Sequence, residues 1–154
     1  MNEAARGRLR RTTSGRRPRK RTPSTTSQQL VWTCDECGRP IRDGDGWVTI
    51  GYADIRAYRV AAADWERRHP RGDGWRILSL GEYEDFPNPV RWHVWHRRCD
   101  PDITSEDYFI DIDRIRTVAQ LLEWSSHLME KTWFANTTWK DVLRGQANQL
   151  GRTG

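Results

Sequence analysis

At 154 residues, with 26 Lys and Arg against 21 Asp and Glu, the chain is long enough for one modest core and too short for two. No run reaches the ~18 apolar residues of a membrane span, and the N-terminus lacks the apolar core of a secretory signal, so a soluble cytoplasmic protein is expected. Three cysteines cannot close a disulfide framework, and in a reducing compartment an odd count reads better as metal ligation.

Residues 1–29 hold nine cations, Arg6, Arg8, Arg10, Arg11, Arg16, Arg17, Arg19, Lys20 and Arg21, against the single acid Glu3. The tail therefore carries +8, and the 17 basic and 20 acidic residues after it carry about −3, so the excess positive charge belongs to the tail alone. Arg, Ser, Thr, Pro and Gly dominate this segment and offer little to bury, which predicts a disordered Arg-rich tail over 1–29 and one folded domain over 30–154. Those nine cations are the candidate DNA or RNA contacts, giving weak, salt-dependent, sequence-independent binding. The same run also suits a solubilising arm or a leader from a misassigned start codon, and in a eukaryote Arg16 to Arg21 would read as a nuclear import signal. Of all the cations only Lys20, Lys131 and Lys140 are lysine, a bias that suggests a GC-rich genome.

From Leu30 the texture changes to short apolar runs around a Gly/Asp turn. This reads as a strand entering a cysteine knuckle, then a β-hairpin through Asp43, Gly44, Asp45 and Gly46. Ile55, Tyr58, Ala62 and Trp65 recur at helical spacing between Tyr52 and His69, with Pro70 as the stop and His69 as an exposed loop residue. Trp75 to Leu80 and Val90 to His96 read as strands separated by Pro87-Asn88-Pro89, and Tyr108 to Ile112 as one more. Thr117 with Gln120 forms a capping box for a helix whose stripe is Val118, Leu121, Leu122, Ser125, Leu128 and Met129. Thr138 with Asp141 opens a shorter last helix bearing Val142 and Leu143. The fold class expected is α+β: a short antiparallel sheet with two to three helices, around a core rich in the nine tryptophans.

The sharpest chemical signal is Cys34-x2-Cys37-Gly38 paired with His96-x2-Cys99. A C-x2-C knuckle converges two thiolates on one metal, and H-x2-C at a turn brings the other two donors. The set Cys34, Cys37, His96, Cys99 suits one tetrahedral Zn2+ with no open position for water, which makes the ion structural and leaves no catalytic residue assigned. His93 is the alternative fourth ligand, although strand alternation puts it on the opposite face from His96. Redox chemistry at Cys34 and Cys37 would need a thioredoxin-like βαβ pattern that the sequence lacks. Glu123, His127 and Glu130 share one helical face and could bind metal or transfer protons, but nothing in the sequence supplies an opposing group.

The string from Cys34 to Gly44, followed by Trp95-His96-Arg97-Arg98-Cys99, resembles the first zinc module of LIM domains, a treble-clef zinc finger. The four candidate ligands fall on that module's ligand positions, and Trp95 on the tryptophan preceding its histidine. The resemblance implies a zinc-pinned hairpin and a protein that binds other proteins. Here Gly38 to Trp95 spans 58 residues, far more than the LIM spacer, so the segment from Tyr52 to Leu80 is expected as an insertion, and the second LIM module is missing. As a whole the chain also resembles small proteins of actinobacteria and their phages, a likeness that carries no activity with it.

The function expected is therefore a non-enzymatic zinc-stabilised binding or adaptor protein with a protein partner, nucleic-acid contact through the tail, and Trp47, Trp92 and Trp95 as candidate stacking platforms. One alternative is a treble-clef nuclease of the HNH kind with His93 at its centre. Another is a phage or plasmid factor that binds a host protein, the acidic domain suiting a basic partner.

Overall fold

A computed structural model describes residues 28–42, 44–70, 77, 79–100 and 107–152. The candidate nucleic-acid contacts, Trp75, Arg76 and Leu78 of the strand expected over 75–80, and Asp43 of the expected hairpin turn lie outside the described residues.

The described chain is α+β. Strand β1 (Gly46–Gly51) runs into helix α1 (Tyr52–Arg68), followed by a short α2 (Leu80–Glu84), β2 (His93–His96), β3 (Asp107–Asp111), α3 (Val118–Met129) and α4 (Trp139–Arg152). The three strands form an antiparallel sheet in the order β2-β1-β3, with Val48 opposite both Val94 and Ile110. β1 and β2 thus pair directly across an excursion that contains α1 and α2.

Alternation along β1 turns Val48 and Ile50 to the core, where Ile110, Ile115, Leu121 and Leu128 meet them. The indoles complete this core: Trp92 stands edge-on to Trp139 with ring centroids 4.9 Å apart, and Tyr108 faces Trp133 at 5.3 Å. Six tryptophans are buried, and four of these donate their ring N–H: Trp32 to Ile115 O, Trp47 to Asp100 Oδ2, Trp92 to Thr137 Oγ1 and Trp139 to Ser125 Oγ. Burial of Trp47 and Trp92 removes two of the three stacking platforms expected from sequence; Trp95 is half-buried.

Helix boundaries follow local chemistry. α1 buries Ile55 and Trp65, and it stops where Pro70 disfavours helical geometry at His69. His69 is no bare loop residue: its backbone N–H caps Trp65 O and its ring stacks on Trp65 with centroids 4.4 Å apart. The box Thr117/Gln120 opens α3 as expected, whereas Leu122 and Met129 of the expected stripe face solvent. α4 spans 14 residues, so the last helix is longer than α3 rather than shorter.

Three expected β features differ. Leu80, placed in a strand by its apolar neighbours, instead opens α2, because Ser79 and Glu82 make a reciprocal capping box. The strand expected from Val90 starts only at His93, since Val90 is drawn into a parallel bridge with Thr137 and Trp92 N–H bonds Thr138 Oγ1. The Gly/Asp turn does not fold β1 back on the segment before it; β1 pairs with β2 and β3, and residues 32–41 close a small loop of their own.

Candidate metal centre

That loop is the knuckle. Ile41 N–H bonds Trp32 O at 2.7 Å, Cys34 N–H bonds Arg39 O at 3.0 Å, and Thr33 bridges Pro40, so the chain reverses tightly over Cys34 to Cys37. Gly38 takes φ +66°, a left-handed geometry that glycine adopts without strain, and its N–H returns to Cys34 O at 2.9 Å. The opposite wall is the end of β2 and the 3-10 turn Arg97–Cys99, closed by Asp100 N–H to His96 O.

These two walls bring Cys34, Cys37, His96 and Cys99 together. Their ligand atoms all lie within 4.8 Å of one another, and the four could hold a metal ion. His96 Nδ1 is 3.3 Å from Cys37 Sγ and 3.9 Å from Cys99 Sγ. A tetrahedral zinc with bonds of about 2.3 Å to sulfur and about 2.0 Å to nitrogen requires N-to-S edges of about 3.5 Å, so the spacing suits that ion.

The surroundings orient the donors. His96 is buried, and its Nε2 lies 3.4 Å from Pro40 O, which fits the tautomer that donates from Nε2 and leaves the Nδ1 lone pair facing the sulfurs. Cys34 is also buried and accepts the backbone N–H of His96 at 3.5 Å. Burial alone would raise its pKa, but N–H groups of Cys37, His96 and Glu36, together with the His96 ring, outweigh it and lower the pKa from 9.0 to about 6. Burial, then the neighbouring sulfurs of Cys37 and Cys34, push Cys99 above 9.0. The site therefore holds one ready thiolate at neutral pH and one reluctant thiol.

Asp35, between the two knuckle cysteines, ties the site to the sheet. Its N–H bonds Val94 O at 2.8 Å, and its Oδ2 accepts Val94 N–H at 3.0 Å. This role was not legible from the cysteine spacing, although an acid directly after a ligand cysteine was its only trace. His93 lies outside the ligand group: its ring stacks on Trp95 at 5.5 Å, and its Nδ1 is 3.7 Å from Asp35 Oδ2. Glu123, His127 and Glu130 do not gather into a metal group; His127 and Glu130 form a solvent-exposed pair at 3.9 Å.

Among the described residues no helix is long and apolar enough to cross a membrane. Searches of protein-family models, curated proteins and solved structures find no match to this chain.

Proposed function

We propose that the chain is a non-enzymatic binding module whose fold is pinned by one structural zinc ion in a treble-clef-like knuckle. The observation that carries this reading is the donor set itself: three cysteines and His96 close around one point, with the second nitrogen of His96 already committed to Pro40 O. Four protein donors satisfy tetrahedral zinc, so the ion would cross-link the knuckle to β2 and would not activate water. The direct pairing of β1 with β2, flanked by the knuckle, supports the likeness to a single LIM-type zinc module with α1 and α2 inserted.

In this reading the Arg-rich tail adds sequence-independent affinity for DNA or RNA, and the folded part, at about −3, meets a protein. Full-length protein and a variant with the nine tail cations changed to Gln, titrated with single- and double-stranded oligonucleotides across a salt series, test this division. Binding that weakens steeply with salt and disappears in the variant is expected, with the oligonucleotides intact after incubation with Mg2+. Binding retained without the cations, or cleavage abolished by His93→Ala, would replace the module with the nuclease reading.

A further inference from the structure

The three cysteines of the candidate metal centre differ in what can reach them. Cys37 is exposed, Cys99 is partly exposed, and Cys34 is only 1 % exposed. Cys34 Sγ is also enclosed by the backbone N–H groups of Cys37, His96 and Glu36, for which it is the acceptor. Cys37 and Cys99 instead meet on the accessible side of the site, where both sulfurs lie against one nitrogen: His96 Nδ1 is 3.3 Å from the first and 3.9 Å from the second.

These two sulfurs belong to opposite walls. Cys37 sits on the knuckle, and Cys99 on the 3-10 turn that follows β2. A bond between them would span the same gap as the ion, whereas a bond from Cys34 to Cys37 would stay within the knuckle and join nothing to the sheet. All four ligand atoms lie within 4.8 Å of one another, so both pairings are in reach and the enclosure of Cys34 decides between them. Bridging Cys34 would forfeit its charge-assisted N–H bonds, because a neutral sulfur is a weak acceptor.

Resting on the zinc-module reading, we propose that Cys37 and Cys99 are an oxidisable pair: a hydroperoxide converts them to a disulfide that expels the zinc ion and takes over its cross-link between knuckle and sheet. As a zinc ligand each sulfur is a thiolate, the form that attacks an oxidant. With hydrogen peroxide, Cys37 Sγ attacks one oxygen, the O–O bond breaks, hydroxide leaves, and the sulfur becomes a sulfenic acid. Cys99 Sγ then attacks Cys37 Sγ; the S–S bond forms as the S–O bond breaks, and a second hydroxide leaves. Two electrons pass from the sulfur pair to the peroxide, and solvent protons turn both hydroxides into water. Only Cys34 and His96 then remain as donors, too few for a closed zinc site. The knuckle stays on β2 nonetheless, because Asp35 keeps its two bonds to Val94 beside the new covalent link.

The test uses full-length protein whose zinc content is measured first, treated with hydrogen peroxide beside a weak chromophoric zinc chelator. One zinc should appear for each disulfide formed. After alkylation and cleavage before Asp35, which separates Cys34 from Cys37, mass spectrometry should find Cys37 joined to Cys99 and Cys34 alkylated. Amide exchange reads the cross-link: at Asp35 and Val94 the oxidised chain should exchange within about twofold of the zinc-loaded rate, and the reduced, chelated chain at least about tenfold faster. Thiol reduction with added zinc should restore the starting state. A Cys34–Cys37 bridge, a Cys37 sulfinic acid without a bridge, zinc that stays bound while the thiols oxidise, or fast exchange at Val94 in the bridged chain overturns the proposal and leaves the module reading standing. Protein that carries no zinc at the outset and takes none up overturns that reading and the zinc-for-disulfide exchange together.

Discussion

At Gly38 and Gly44 the backbone is left-handed, yet the two positions differ in what a side chain would meet. A Cβ at Gly38 has open space around it, so Gly38→Ala should cost only the conformational strain, about 1 kcal/mol, while leaving metal stoichiometry unchanged. At Gly44 a Cβ would collide with the Asp113 carboxylate, so Gly44→Ala should destabilise by more than Gly38→Ala in chemical denaturation. The thiols give a pH signature. Cys34 is depressed in the folded chain, so its contribution to the stability of metal-free protein is full above about 9 and is lost as pH falls through about 6. Cys99 is shifted the other way, so deprotonation favours the unfolded chain above about 9. Thermal melts in chelator should therefore show stability rising from pH 6 to 9 and levelling or falling beyond it, with the rise absent in Cys34→Ser. A flat profile in the wild-type chain would contradict this assignment.

Between elements, indole hydrogen bonds join α3 to α4 and the 137–139 turn to the segment before β2. Ser125 accepts Trp139 Nε1–H at 2.9 Å and returns its own proton to Leu121 O, in a pocket where Trp139 is 1 % exposed. Ser125→Ala removes one oxygen and strands a buried donor, so it should cost about 1–3 kcal/mol, whereas Ser126→Ala on the exposed face should be near neutral; urea titrations compare the two. Ser125 was legible as a member of the helical stripe, but its role as acceptor was not, because nothing local to Val118–Met129 announces an indole from α4. The same distinction runs through the other elements. α1 and α3 were readable because their apolar period and stop or cap signals lie within the segment. Val90 and Leu80 were misplaced because a remote bridge to Thr137 in one case, and a polar capping box in the other, outweighed local apolar alternation. Leu122 and Met129 fit the helical period, but among the described residues no element covers them.

Across the whole molecule, the charge divides at residue 29 and the chemistry converges on one point. The four candidate ligands were legible because knuckle spacing is a short-range constraint, while their meeting across a separation of 62 positions, from Cys34 to His96, depends on the pairing of β1 with β2. Spacing and strand alternation favoured His96 over His93, and only the geometry separates them: one is buried with its Nε2 on Pro40 O, the other is stacked on Trp95 near Asp35. Because the ion would join the knuckle to the sheet edge, its removal should loosen both together. A site saturated about 1,000-fold over its Kd contributes about 4 kcal/mol, which for a chain of this size lowers the melting temperature by about 15 °C on chelation. The most direct test of the central claim is metal stoichiometry by native mass spectrometry on the full-length chain and on His96→Ala and His93→Ala variants. The account predicts one zinc per chain, kept in His93→Ala and lost or greatly weakened in His96→Ala. Protein that carries no metal when purified and reconstituted, or zinc that depends on His93 and not on His96, would contradict it.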